Sequence, residues 1–241
     1  MEVEFTTLIN NAEIAMPNVV RFSIFSVGLM VGTVVSAATS VGSVSFTPFS
    51  VKGLTVSKTI NIDSAFAKKY GKSVAAPFRI QVPVSKKFLN YYDPKVGGPN
   101  DTTLLKISFA TKEKQIIENI RLVPVQIGMG DPALRIKTAA HLLSNQAFAD
   151  ASKGYLNAKL FGIVQTKING ADGVVGVGQF EDPTIGLLYV HLVVILNPTD
   201  RHSILAFATI NPKLSAANKP DLLRKAGITY KLIESIGFLG R

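Results

Sequence analysis

The sequence predicts an α+β fold, a three-layer α/β/α sandwich with a central, mainly antiparallel sheet, and three observations carry that prediction. Residues 187–196 (LLYVHLVVIL) are apolar on both alternating faces except at His191, and residues 203–210 (SILAFATI) are nearly so. Strands apolar on both faces need cover above and below. Four strand candidates, 158–168, 174–180, 187–196 and 203–210, are separated by Asn-Gly, Asp-Pro and Asn-Pro-Thr-Asp turns, and connections this short make consecutive strands antiparallel neighbours. Two helical stretches, one before these strands and one after them, supply the cover.

The first of these helices starts where Gly128-Met129-Gly130 closes a turn, with Asp131 as N-cap and Pro132 at the first helical position, where proline is best tolerated. At 100° per residue, Ile136, Ala139, Ala140, Leu143 and Ala147 fall within about 60° of one line, a narrow, small-residue face that lets the helix approach a sheet closely. His141 lies about 140° from Ile136 and is expected to be exposed. The second helix is expected from Pro220 to Gly237, with Leu222, Ala226, Ile233 and Ile236 on one face and a kink at Gly227.

Upstream, residues 63–72 (DSAFAKKYGK) predict a short helix capped by Asp63 and stopped by Gly71. Residues 78–82 alternate apolar with polar and predict a half-buried strand ending at Pro83. Residues 90–101 (NYYDPKVGGPND) are packed with turn formers and predict a loop or a long hairpin connection. Residues 104–109 follow as a strand. Residues 112–130 stay ambiguous, since KEKQIIENI has helical character and LVPVQIG has strand character broken by Pro124.

The N-terminal part predicts export. Residues 22–37 are apolar or small, Arg21 precedes them, and Val35-Ser36-Ala37 places small residues where a signal peptidase reads. The run is shorter than the roughly 20 residues of a spanning helix. Met1 to Ala15 is acidic, whereas a start at Met16 gives MPNVVR before the apolar run. Residues 1–37 are therefore expected to be a signal peptide with a true start at Met16, or else a retained N-terminal anchor. Residues 38–57 are expected to form an extended arm or a first strand, and 58–241 one sandwich domain.

Composition narrows the functional classes. The chain has 241 residues, 47% hydrophobic and 17% charged, ample for a core, and it has no cysteine. Disulfide frameworks, thiolate metal sites and thiol nucleophiles are thereby excluded. The formal charge is +10; without residues 1–37, which hold three acids and one base, 25 bases and 13 acids remain, or +12. Such a charge favours anionic partners. The bases are dispersed, without the aromatic interleaving that stacks nucleobases, so nucleic acid is not the expected partner.

The chemical candidates are few. Gly173-Val174-Val175-Gly176-Val177-Gly178 lacks the following helix that a phosphate loop needs, so its glycines predict a hairpin or a close sheet contact. His191 shares a strand face with Tyr189 and Val193, and would act as a base only if a carboxylate oriented it. His202, beside Arg201, is expected in a solvated turn. Three histidines without i, i+4 spacing do not make a zinc site. Glu113, Glu118 and Glu181-Asp182 are isolated acids. Residues 90–101 read as a recognition loop, with Tyr91, Tyr92 and Lys95 as candidate binding residues, or as an ordinary connection.

The element order, carried by Asp131 to Phe148, by YVHLVVIL and SILAFATI, and by Ile233-Glu234-Ser235-Ile236-Gly237-Phe238, resembles the Mog1/PsbP-like α/β/α fold, including the bacterial DcrB-type proteins. The chain departs from that family in having no tryptophan, a residue that often sits in its late strand or last helix. The resemblance implies a non-enzymatic module that binds a protein partner or supports a larger assembly, and it carries over no site residue. The expected protein is thus an exported, basic binding module, periplasmic or secreted, without cofactor or metal, meeting a protein partner or an anionic envelope surface. The alternative is an exported hydrolase using His191 with an acid from residues 172–182.

Overall fold

The computed structural model describes residues 55–85, 87–96 and 101–239. The leader, the Met16 start and nearly all of the arm lie outside the described residues. No helix among the described residues is long and apolar enough to cross a membrane.

The chain opens with strand β1 (Thr55–Ile62) and helix α1 (Ser64–Tyr70). Asp63 caps α1 by accepting from the N–H groups of Ala65 and Phe66, and Gly71 ends it at φ 64°, a left-handed conformation suited to a residue without Cβ. Strand β2 (Phe78–Val84) pairs with β1. Strands β3 (Leu89–Asp93), β4 (Leu105–Ala110) and β5 (Ile116–Gln126) form an antiparallel meander. Within the ambiguous stretch 112–130, residues 116–126 thus form one long strand that contains Pro124. The β4 ladder ends at Leu122, whose carbonyl still accepts from the Leu104 N–H, so the N–H that Pro124 lacks falls beyond the last β4 partner.

Helix α2 (Pro132–Leu142) continues through a π turn (Leu143–Ala147) into helix α3 (Phe148–Ser152), with Asp131 as the N-cap bonded to the Leu134 N–H. Four antiparallel strands follow: β6 (Leu156–Ile168), β7 (Ala171–Asp182), β8 (Gly186–Ile195) and β9 (His202–Ile210). The seven-stranded sheet has the order β3-β4-β5-β9-β8-β7-β6, and its late meander is the one the turns predict.

Both faces of this sheet carry a core, as its doubly apolar strands require. On one face Val174, Val190, Leu192, Val194, Leu205 and Phe207 pack under Ala139, Leu143, Ala147 and Phe148 of the helical layer. The close approach shows at Gly178, where an added Cβ would stand 2.6 Å from the Phe148 ring. The glycines of 173–178 accordingly lie inside β7, where Gly176 and Gly178 face Leu143 and Phe148 of the helical layer.

On the other face Ile120, Val193, Ile195, Ala206 and Ala208 meet Phe78, Ile80, Leu232 and Ile233. The cover here is mixed. Besides helix α4 (Ile228–Glu234) it includes a second, three-stranded sheet of order β1-β2-β10, where β10 is Gly237–Phe238.

The long C-terminal helix expected over 220–237 is not formed. A short 3-10 turn (Pro220–Leu222) comes first, and α4 begins only after Gly227, whose φ −69° and ψ 156° are extended. The cause is Glu118 of β5. Fully buried, its carboxylate accepts from the N–H groups of Ile228 (3.0 Å) and Thr229 (2.7 Å) and from the hydroxyls of Thr229 and Ser215. A carboxylate fixed at the first turn satisfies donors that a continuous helix would have bonded internally. Gly227 leaves it room, since a Cβ there would lie 3.1 Å from Glu118 Oε2.

Candidate binding face of the sheet

The helical layer of α2, the π turn and α3 packs over β6, β7 and β8. Val123 of β5 still belongs to the core under that layer, whereas Lys106, Ser108 and Arg121, nearer the β3 edge of the same face, are only partly buried. Register identifies which side chains stand there, because directly paired residues of antiparallel strands share a face. One row runs Tyr91, Ser108, Asn119, Thr209, Val190; the next runs Asp93, Lys106, Arg121, Phe207, Leu192. Each row starts polar at the β3 edge and turns apolar where the helices begin.

The polar halves of these rows form a built surface. Asn119 is held by a 2.6 Å bond from its amide to the Thr209 hydroxyl. Lys106 and Arg121 are direct cross-strand neighbours, both partly buried. Burial, and then the Arg121 charge, hold the Lys106 ammonium below its ordinary value, while Asp93 acts in the opposite sense. Tyr155, on the segment after α3, stacks on Phe180 with centroids 4.3 Å apart. Its phenol is pushed up chiefly by burial and by Asp182, with Arg121 pulling it down. The arrangement offers two cations and the hydroxyls of Tyr91 and Ser108 to an anionic or hydrogen-bonding partner.

The sequence-predicted candidates separate on this frame. Residues 90–93 are not loop: Asn90 to Asp93 pair with Phe109 to Lys106 as edge strand β3. The turn formers begin only at Pro94, where the Lys95 N–H bonds Asp93 Oδ1 at 3.0 Å. Tyr91 and Tyr92, 36% and 38% exposed, project from opposite faces as neighbours on any strand do. Tyr91 joins the cationic row. Tyr92 falls in the row of Ile107, Ile120, Ala208 and His191 on the other face, with the Lys58 ammonium 5.7 Å from its ring. Lys95 is exposed in the turn that follows.

His191 is 1% exposed, and neither ring nitrogen has a hydrogen-bond partner. It lies against α4, its ring 6.3 Å from that of Tyr230. Burial, and secondarily the Arg224 charge, lower its pKa to about 3, so it is a neutral imidazole. The acids expected to orient it are engaged elsewhere: Asp172 with Lys167, Glu181 with Asn157, and Asp182 with the N–H groups of Thr184 and Ile185. The base of the alternative hydrolase is thus sealed from substrate and unpaired.

His141 is exposed and contacts Asn145. His202 is not a solvated turn residue: it starts β9, with Nδ1 2.7 Å from Asp200 Oδ1. Among the described residues, no group of three or more His, Asp or Glu side chains could hold a metal ion.

Lys106, Ser108, Asn119 and Arg121 were not singled out by the sequence. The available sign was the alternation in LLKISFA, where Lys106 and Ser108 interrupt an apolar strand on one face only.

No family model matches the chain, and no curated protein matches it. Among solved structures it is similar to CyanoP, the cyanobacterial PsbP of Synechocystis sp., at 13% identity and TM-score 0.46, covering 80% of this chain and 99% of that one. It is also similar to Mog1p, a Ran-binding protein of Saccharomyces cerevisiae, at 9% identity and TM-score 0.37, covering 75% and 95%.

Proposed function

We propose that this chain is an exported, basic, non-enzymatic module that binds a protein partner or supports a larger assembly, and that the β3-β4-β5 half of its sheet face is the contact surface. The observation that carries this reading is the placement of Lys106 opposite Arg121 on the part of the sheet beside the helical layer. Like charges directly opposite each other weaken a sheet, and partial burial of Lys106 adds to the cost. Carboxylates of a partner laid over the pair offset the like-charge repulsion and give the partly buried ammonium a counter-charge. Tyr91 and Ser108 then supply an aromatic contact and a hydrogen bond around the charged centre.

Export rests on the apolar run at 22–37 and the small residues that end it. The net charge of the chain draws acidic partners over longer range, and the Lys106–Arg121 pair fixes where they settle.

The test is co-purification from the native source with wild-type protein and a Lys106→Glu/Arg121→Glu double variant, in low salt and at about 0.5 M, where exposed charges are screened. One discrete protein retained by the wild type at low salt, released at high salt and lost from the folded double variant is the expected result. An equal yield of that protein with the double variant contradicts the reading. Retention of an anionic envelope polymer in place of a protein contradicts the partner class.

A further inference from the structure

The two edges of the seven-stranded sheet differ. At one edge β6 is broken by register shifts between Leu156 and Lys159 and between Leu160 and Gly162, has Asn157 at φ 51°, and carries Lys159 and Lys167. Bulges and lysines are the means by which edge strands resist further pairing. At the other edge β3 pairs with β4 without interruption from Leu89 to Asp93 and contains no Lys, Pro or Gly. In an antiparallel edge strand alternate residues direct their N–H and C=O groups outward. Among the described residues, no strand pairs on that outer side of β3. Leu89, Tyr91 and Tyr92 are exposed along it.

We propose that β3 is a strand-addition site, at which an extended acidic segment of a partner protein pairs its backbone with the outer edge of Leu89–Asp93. The proposal rests on the reading of this chain as a binding module and adds the element that takes the partner. Charge selects the occupant. Lys87 precedes the strand, Lys95 follows it, Lys58 lies against Tyr92, and Lys106 is the cross-strand neighbour of Asp93, the one acid in the strand. A second copy of the chain, itself carrying a formal +10, would bring the same cations edge to edge. An acidic segment meets them with opposite charge. Its alternate side chains fall beside Tyr91 on one face and Tyr92 on the other, so backbone pairing gives affinity and the two tyrosines give selectivity.

The probe is a fluorescent peptide of about ten residues alternating valine and glutamate, long enough to span the strand. A valine-lysine peptide controls for charge, and a proline-glutamate peptide, poor in backbone donors, controls for pairing. The expected result is binding of the valine-glutamate peptide at least about ten-fold tighter than either control, with slowed hydrogen exchange at β3 amides. Equal affinity for the two acidic peptides, with amide shifts centred on Lys106 and Arg121 and unchanged exchange in β3, overturns strand addition and leaves the acid-binding face standing. Equal binding of the valine-lysine peptide, or no binding of the valine-glutamate peptide, also overturns the proposal. The charge-reversed variant described above decides the underlying reading separately.

Discussion

Replacing His191 with leucine should spare the protein about 2 kcal/mol of stability loss between pH 7.5 and 5. The folded imidazole sits under α4 with both nitrogens unpaired, and its pKa is lowered from the usual 6.5 to about 3. The groups acting on it are the Arg224 charge, which opposes protonation, and the Tyr230 ring, whose hydroxyl is bonded to Glu234. In the unfolded chain the same imidazole takes up a proton as the pH falls through 6.5. The unfolded state therefore binds more protons, and stability falls with the pH from 6.5 down to about 3. At pH 5 the deficit is about 1.5 pH units at 1.36 kcal/mol each, or about 2 kcal/mol. That is a large share of a typical total of about 5–15 kcal/mol.

Urea unfolding at the two pH values measures this directly. Wild-type protein should lose about 2 kcal/mol more than His191→Leu over that interval. The variant, freed of two unsatisfied buried nitrogens, should be at least as stable as wild type at pH 7.5. Parallel losses in the two proteins would mean that the folded imidazole accepts a proton freely, and the buried placement of His191 would be refuted.

Glu118→Ala should cost about 3 kcal/mol or more in the same assay, because it strands the Ser215 and Thr229 hydroxyls and the first N–H groups of α4; a loss under about 1 kcal/mol would contradict the tether. Gly178→Ala, whose Cβ would meet the Phe148 ring at 2.6 Å and the Lys159 carbonyl at 2.8 Å, should destabilise by about 1–3 kcal/mol. Gly176→Ala, with no neighbour nearer than 3.6 Å, should stay within about 1 kcal/mol of wild type. Equal effects at the two glycines would disprove the close helix approach at Gly178. N-terminal sequencing of protein from its native source should find Ala38 as the first residue, and an intact Met1 in the cytosol would end the export proposal.

The elements legible in the sequence were those fixed by local chemistry. Asp63 and Gly71 mark α1 through capping, Asp131-Pro132 marks α2, and short turns between apolar runs mark the β6 to β9 meander. What was not legible depends on partners far along the chain. Glu118 reads as an isolated acid because its donors lie about a hundred residues away, at Ser215, Ile228 and Thr229, and the break before α4 is invisible without it. Pro124 hides β5 until the end of the β4 ladder is known. Tyr91 and Tyr92 sit next to so many turn formers that local propensity assigns them to a loop, whereas pairing with β4 makes them strand. Lys106 and Arg121 become neighbours only through the β4–β5 register, so the candidate face follows from topology and not from a motif.

Photo-crosslinking from position 108 in the native cell tests most directly whether this face meets the partner. Ser108 stands between Tyr91 and Asn119 on the cationic half of the sheet, and exposed Lys137 on α2 is the control position. A benzophenone side chain at 108 should join the protein to one discrete partner through an acidic segment, with no such product from 137. The same product from both positions, or from 137 alone, would place the contact on the helical side and contradict the account.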